Sequence, residues 1–199
     1  MKITTTADGG VEINFEVAGH RRCGECTLCC KLLPNVALDK RAGHRCVHQR
    51  HGKGCAIYPT RPVECQIWAC RWLAGEEETR GMRRPDRSHY VIDAFPDTMR
   101  LVGNESGEVH EYDAIQIWID PAFPEAKDDP ELRAYMLKMA QDHGMPTLLR
   151  WSSRDATAVF PPPLSSDGEW HQQTSQCTEG FGLFSRLPKD WQDRLGKSR

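Results

Sequence analysis

Long apolar runs are absent from this sequence. The N-terminal stretch MKITTTADGGVEINFEV alternates polar and apolar residues and has no apolar segment of the kind found in secretory signals. No later window approaches the length and apolarity of a transmembrane helix. We therefore expect a cytoplasmic protein without a membrane-spanning segment. A reducing cytoplasm disfavours structural disulfides, and nine cysteines is an odd number, so a disulfide framework is not the favoured explanation for them.

Net charge is also small, at -2 for 199 residues, and gives no whole-chain reason to expect binding to nucleic acid or to a membrane. Aromatic residues make up only 8% of the chain, and no aromatic-basic platform or known reading helix occurs, so nucleic acid is not an expected partner. The sequence lacks a glycine-rich phosphate loop and a Gly-x-Ser-x-Gly nucleophile turn. Whether the protein is an enzyme therefore stays open.

Cysteine, in contrast, is concentrated in one segment. Thiolates are preferred ligands of zinc and of iron-sulfur clusters, and such centres commonly take four. Two four-thiolate centres would use all the clustered thiols, and one four-cysteine centre with a separate redox pair is the alternative. Cys177 stands apart and is expected to be a free thiol. The predicted metal ligands are the eight cysteines within 48 residues: Cys23, Cys26, Cys29, Cys30, Cys46, Cys55, Cys65 and Cys70.

Helical geometry suggests how these thiols are shared. If residues 24–33 are helical, Cys23, Cys26 and Cys30 lie on one face, and Cys29 is turned about 100° from Cys30. Adjacent cysteines should then serve different centres. A second helix is expected from Pro62 to Gly75, with Cys65 and Cys70 about 140° apart around it. Trp68 and Trp72 would cover the Cys65 face of that helix and shelter the thiolates from water.

Basic residues accompany the cysteines. Residues 20–75 carry ten basic and three acidic side chains, a net of +7, whereas the rest of the chain carries -9. Two four-thiolate zinc or oxidised 4Fe-4S centres would add about -4 and offset this surplus. His44, His48 and His51 surround Cys46, and an imidazole could replace a thiolate in a zinc site. The candidates to lower thiol pKa values are Arg21, Arg22, Lys31, Arg45, Lys53, Arg61 and Arg71.

The remaining patterns predict an α+β fold, with a small cysteine-rich metal-binding segment of short helices packed on a domain of mixed helices and strands. We expect an N-terminal β-hairpin in residues 1–19, the cysteine-cluster domain in 20–75, an α+β half in 76–164 and a loosely attached polar tail in 165–199. Strands are predicted at 90–94, 99–102 and 112–119, a helix at 130–143 and a hairpin from 147–151 and 156–160. A short helix near Trp191 is a further expectation. The helix should bury Leu132, Tyr135, Met136 and Met139.

Two blocks of the cysteine segment resemble the YkgJ-type cysteine-cluster family, described as zinc- or iron-chelating. They are the CxxCxxCC run at 23–30 and the stretch Gly54-Cys55-x-Ile57-Tyr58-x-x-Arg61-Pro62-x-x-Cys65. The resemblance covers about residues 20–75 and implies metal binding by these cysteines, whereas Cys46 and Cys70 are assigned by the count alone. A similar motif occurs in flagellin lysine N-methylases, which are associated with an iron-sulfur cluster.

Three functional hypotheses follow. The first is a protein that binds zinc or iron, as mononuclear ions or as a 4Fe-4S cluster, for structure or metal handling. The second is an iron-sulfur enzyme, an oxidoreductase or a protein-modifying enzyme, with the second half forming part of a substrate cleft. The C-x2-C-x2-C spacing with a distant fourth cysteine slightly favours iron-sulfur ligation. The third is a regulatory protein that loses a protein partner when its thiols are oxidised or its metal leaves.

Overall fold

The structure is a computed structural model that describes residues 2–5, 11–14, 21–94, 97–102 and 108–176. Its helices are α1 (Leu28–Leu32), α2 (Val63–Ile67), α3 (Arg71–Ala74), α4 (Pro85–Ser88) and α5 (Pro130–His143). Its strands are β1 (Lys2–Thr5), β2 (Val11–Asn14), β3 (Gln49–Arg50), β4 (Gly54–Cys55), β5 (Tyr90–Ile92), β6 (Asp97–Val102), β7 (Val109–Ile119), β8 (Thr147–Arg150), β9 (Asp155–Phe160) and β10 (His171–Gln176). Helices and a mixed sheet make this an α+β protein, as predicted.

The central sheet has six strands in the order β10-β9-β8-β7-β5, with β6 pairing to another part of β7. The pairing of β7 with β8 is parallel, and the other pairings are antiparallel. The connection between the parallel strands β7 and β8 contains α5, as a crossover between parallel strands requires. Two small antiparallel hairpins, β1-β2 and β3-β4, lie outside this sheet.

The two faces of the sheet bury different parts of the chain. Alternate residues of a strand point to opposite faces. Accordingly Ile115, Ile117 and Ile119 of β7 pack in one buried cluster with the apolar face of α5. Trp118, together with Val91 of β5, packs in a second cluster with apolar residues from the cysteine-rich segment. The sheet thus lies between α5 and the cysteine-rich segment, and its second face forms the base on which the cysteines are placed.

The predicted long helix is confirmed over residues 130–143. The Asp129 side chain accepts a hydrogen bond from the backbone N–H of Glu131, and Gly144 ends the helix in a left-handed conformation with φ of 64°. The helix buries the expected apolar side chains Leu132, Tyr135, Met136 and Met139. The hairpin predicted from 147–151 and 156–160 is confirmed as β8 and β9.

The strands predicted on either side of residues 96–97 are also present, but their arrangement differs from a hairpin. The sequence pattern predicts a turn at Pro96–Asp97 between the strands at 90–94 and 99–102, but Asp97 begins β6, and β5 and β6 each pair with β7. The 11 residues of β7 are enough for β6 to pair along its first half and β5 along its last three residues. The expected strand at 112–119 is therefore confirmed and begins three residues earlier, at Val109.

The expectation of a loosely attached chain beyond Ser165 is wrong for residues 171–176. They form β10, which pairs with all six residues of β9. The sequence did not predict this strand, because its residues are polar and an edge strand can be held by backbone hydrogen bonds without apolar alternation.

The predicted N-terminal hairpin is confirmed for β1 and β2, which pair from Lys2–Asn14 to Thr5–Val11. The turn at 7–10, Cys177 and the helix near Trp191 lie outside the described residues. None of the helices in the described ranges has the length and apolarity to cross a bilayer.

Candidate metal centre

All eight predicted ligand cysteines line one cavity of about 800 Å³. All eight are free thiols, seven of them half-buried and Cys70 buried. The cavity lies between the cysteine-rich segment and the second face of the sheet, and its wall includes Val91, Gln116 and Trp118. Cysteines that are separated by up to 47 positions in the chain therefore face a common space.

The first four cysteines come from a turn followed by a short helix. The backbone N–H of Cys26 donates to the carbonyl of Cys23 at 2.8 Å, and Gly24 between them has φ of +52°. The prediction of one helix over 24–33 is wrong, because this turn delays the helix until Leu28. Leu33 is already extended, as expected for a residue before a proline. Cys23 and Cys26 are thus presented by the turn, whereas Cys29 and Cys30 lie in α1.

Cys46 and Cys55 are held against this turn and helix by backbone contacts. The N–H of Cys46 donates to the carbonyl of Cys30 at 2.9 Å, and Gln49 pairs with Cys55 in the β3-β4 hairpin. Gly54 has φ of +81°, and a Cβ at this position would lie 2.4 Å from the carbonyl oxygen of Gly24. Only glycine allows two backbones to approach so closely. This contact brings the loop carrying Cys55 against the turn carrying Cys23.

Cys65 lies in α2 and Cys70 is the N-cap of α3, so the two cysteines do not share one helix. The prediction of a continuous helix from Pro62 to Gly75 is wrong, because Trp68 is extended (φ -107°, ψ 136°) and ends α2. The Sγ of Cys70 then caps α3 by accepting a hydrogen bond from the N–H of Leu73 at 3.4 Å. The indole N–H of Trp68 donates to Asp93 Oδ1 at 2.9 Å, a tertiary contact that helix periodicity cannot reveal. Gly75 ends α3 with φ of 72°, as expected.

The eight thiols fall into two sets of four. We call Cys23, Cys26, Cys29 and Cys70 the inner cysteine group, because all four pack in the apolar cluster that contains Trp118 of the sheet. We call Cys30, Cys46, Cys55 and Cys65 the outer cysteine group; none of these four belongs to that cluster. Adjacent Cys29 and Cys30 belong to different groups, as predicted for adjacent cysteines. The expected set of Cys23, Cys26 and Cys30 is wrong, because the helix begins only at Leu28 and Cys29, not Cys30, packs with Cys23 and Cys26.

Electrostatic interactions between the thiols occur both within the two groups and between them. Cys70 interacts with Cys23 and Cys26, and Cys29 interacts with Cys23 and Cys70 as well as with its neighbour Cys30. Every cysteine that interacts with Cys65 belongs to the outer group. Cys23 also interacts with Cys30 and Cys55, so the two groups are close together in the cavity.

Burial governs the ionisation of most of these thiols. Desolvation raises the pKa of Cys26 and Cys65 to about 11 and that of Cys70 to about 12. The Cys29–Cys30 pair is different, because the Cys29 thiol donates a hydrogen bond to Cys30. This bond lowers the pKa of Cys30 to about 7 and raises that of Cys29. Without a cation, most of these thiols therefore stay protonated at neutral pH, and a bound metal ion would displace their protons.

The cations nearest the thiols are only partly those expected. Arg61 and Arg84 lower the pKa of Cys23 against the effect of burial, and Lys40 lowers that of Cys30. Of these three, only Arg61 was predicted from its position in the segment. Lys31 instead pairs with Asp120, and Arg71 with Glu76.

The other predicted cations have different roles. Arg22, Arg45 and Lys53 are exposed. Arg21 is buried and donates to the carbonyl of Trp72 and to Thr79. Its role is therefore to hold α3 and the turn that follows it.

One of the three histidines lies at the cavity. His48 contributes to its lining, whereas His44 and His51 are exposed. The Nδ1 of His44 lies 3.2 Å from the carbonyl oxygen of Ala42, within its own loop. His48 is thus the histidine best placed to reach a metal ion.

The sheet supplies polar groups to the cavity that the sequence analysis did not connect with the cysteines. Asp93 Oδ2 accepts hydrogen bonds from Gln116 at 2.8 Å and from the indole N–H of Trp118 at 3.3 Å. Arg150, buried and paired with Asp97, also lines the cavity. The sequence signal for these groups was the alternation of side-chain direction along β5 and β7. This alternation places Asp93, Gln116 and Trp118 on the face of the sheet opposite α5.

Glu64 is a second group that the sequence analysis missed. It is 8% exposed, it lines the cavity, and its Oε2 is buried without a hydrogen-bond partner among the described residues. Its position directly before Cys65 was the only signal in the sequence.

The thiols share one cavity but are not yet grouped as metal ligands. Within the described ranges, no three His, Cys, Asp or Glu side chains are already arranged to hold a metal. Comparisons of the chain with protein-family models, with curated proteins and with solved structures found no match.

Proposed function

We propose that this protein binds zinc or iron through the inner and outer cysteine groups, each group holding one centre. The observation that carries the proposal is the placement of all eight clustered cysteines on one cavity, in two sets of four. Four thiolates complete a tetrahedral zinc site or ligate a 4Fe-4S cluster. The resemblance of residues 20–75 to the YkgJ-type family supports the same proposal.

The surroundings of the thiols fit such centres. Asn35 Nδ2 donates to Cys65 Sγ at 3.3 Å, and the N–H of Leu73 donates to Cys70 Sγ at 3.4 Å. Hydrogen bonds of this kind stabilise metal-bound thiolates and orient them. Arg61, Arg84 and Lys40 supply positive charge close to the sulfurs. Metal loading would draw the sulfurs of each group together and replace their protons.

The test is purification without air or chelator, followed by metal analysis and a visible spectrum. We expect two zinc per chain in a colourless protein, or iron with acid-labile sulfide in a brown one. The Cys177→Ser variant serves as the matched control, because it removes the one cysteine outside the two groups and should leave the metal content unchanged. A folded native protein that contains neither zinc nor iron would refute the proposal.

An iron-sulfur enzyme is the second candidate, and the extent of the cavity favours it. The space continues beyond the cysteines to Asp93, Gln116 and Arg150 on the sheet. Polar groups facing a cavity next to a cluster can orient a substrate. If the protein binds iron-sulfur clusters, we expect Gln116→Leu to leave the cluster content unchanged and to alter turnover with a redox or methyl-transfer substrate. Unchanged turnover would remove the support for a cleft at this position.

A further inference from the structure

A carboxylate lies unpaired beside the outer cysteine group. Glu64 is in the first turn of α2, directly before Cys65, and it is 8% exposed. Its Oε2 is buried and has no hydrogen-bond partner among the described residues. Buried charges in proteins are normally paired or bound to a metal, because an isolated carboxylate loses its hydration on burial. Among the described residues, no side chain therefore serves as a partner of the Glu64 carboxylate.

The neighbouring cations do not satisfy this requirement. Arg61 is only three residues away, but its guanidinium donates to the carbonyls of Cys65 and Tyr58 and stacks on the Tyr58 ring. Lys40, the cation closest to Cys30, donates to the carbonyl of Leu33. Both side chains thus bind backbone carbonyls and leave the carboxylate without an ion pair.

The carboxylate is near the sulfurs of the outer group. Glu64 lines the same cavity as the eight cysteines. The Cys65 thiol interacts electrostatically with Glu64 as well as with Cys30, Cys46 and Cys55. Glu64 and the other three outer cysteines therefore all lie near Cys65, where a cation would meet oxygen as well as sulfur donors.

We propose that Glu64 is an oxygen ligand of the metal held by the outer cysteine group, as a fifth donor beside the four thiolates. This inference rests on the proposed metal binding and adds a donor that cysteine counting does not predict. Zinc accepts carboxylate oxygens at about 2.0–2.2 Å as well as thiolates at about 2.3 Å. Two carboxylates also lie near the inner group, but Asp86 accepts hydrogen bonds from Arg84, and Asp93 accepts them from Gln116 and Trp118. The two centres therefore differ in their donor sets. A bound metal ion would provide the positive charge that no side chain in the described ranges gives to this buried carboxylate of Glu64.

The variant Glu64→Gln tests this inference, with Glu25→Gln as its matched control. Glu25→Gln makes the same chemical change within the cysteine-rich segment, but at a side chain that is 72% exposed. Zinc titration of the metal-free protein should show at least a tenfold weaker outer centre in Glu64→Gln, in line with the effect of losing a supporting group at a metal site. Glu25→Gln should bind like the wild type. The metal-free Glu64→Gln protein should melt at or above the wild-type temperature, because an unpaired buried anion has been removed.

A spectroscopic measurement makes the test independent of affinity. In the cadmium-loaded wild type, NMR should show two cadmium resonances, one at the position of four sulfur ligands and one shifted by an oxygen donor. Glu64→Gln should move only the second resonance. Two all-sulfur resonances in the wild type, or equal zinc affinities for wild type and Glu64→Gln, would overturn the role of Glu64 while leaving metal binding intact. Failure of the wild type itself to bind zinc or cadmium would instead refute the proposed function.

Discussion

Lys31 Nζ lies 2.5 Å from Asp120 Oδ1 and 2.6 Å from Asp120 Oδ2. The pair joins α1, which carries Cys29 and Cys30, to the residue that follows β7. The Asp120 side chain is 4% exposed, and Oδ1 also accepts from the N–H of Ala122. One ion pair thus anchors the cysteine-bearing helix to the central sheet.

Replacing Lys31 by methionine should destabilise the protein by about 3 kcal/mol, because it leaves the buried Asp120 carboxylate without its cation. Lys138→Met is the control, since Lys138 and Asp142 form an exposed pair on α5 and this change should have no measurable effect. Urea unfolding of the metal-free proteins measures both changes. Equal stability of the two variants would mean that the Lys31–Asp120 pair does not hold α1 on the sheet.

Gly54→Ala should disrupt the contact between the two cysteine-bearing loops. A Cβ at Gly54 would lie 2.4 Å from the carbonyl oxygen of Gly24, and the left-handed φ adds its own cost. We expect a loss of about 3 kcal/mol, the sum of overpacking and backbone strain, together with weaker metal binding. Thermal unfolding and metal content measure these effects.

Gly43→Ala is the control that measures the cost of the left-handed backbone conformation without a steric clash. Gly43 has φ of +76°, but nothing lies within 4 Å of the position that its Cβ would occupy. This variant should lose only about 1 kcal/mol. If Gly54→Ala were no worse than Gly43→Ala, the close approach of the two loops would not contribute to stability.

The sequence was most informative where local signals and burial agree. Asp129, Pro130 and Gly144 mark both ends of α5, and its apolar spacing matches its buried face. The break between α2 and α3 could not be predicted in this way. The residues from Val63 to Ala74 form an acceptable helix by local pattern, and the break depends on Trp68 reaching Asp93, 25 residues away.

The composition of the candidate site could be predicted better than its arrangement. The cysteine count identified the eight thiols that line the cavity. The two groups, however, mix cysteines from a turn, a loop, a hairpin, two helices and the N-cap of a third helix. Lys40 and Glu64 had no distinguishing pattern in the sequence. Their roles depend on burial beside the sulfurs, which only the tertiary structure defines.

The two cysteine groups should lose metal independently. Cys26→Ser in the inner group and Cys65→Ser in the outer group should each reduce the metal content to about half, because a centre that needs four thiolates fails when one is removed. The double variant Cys26→Ser with Cys70→Ser should also retain about half of the metal, because both substitutions affect the inner group and leave the outer centre intact. Cys26→Ser combined with Cys65→Ser should bind no metal. Half occupancy in this last variant, measured by metal analysis, would contradict the division.

The metal-free protein should react first at Cys30. The hydrogen bond from Cys29 and the charge of Lys40 lower the pKa of Cys30 to about 7, whereas burial raises that of Cys26 to about 11. Since only the thiolate is nucleophilic, raising the pH through neutrality should speed alkylation of Cys30 with a midpoint near pH 7 and leave Cys26 slow. Mass spectrometry after brief iodoacetamide treatment of chelator-treated, reduced protein measures each site. Metal loading should protect Cys30, because its sulfur is then a ligand. Simultaneous alkylation of Cys26 and Cys30 across this pH range would contradict the hydrogen-bonded pair.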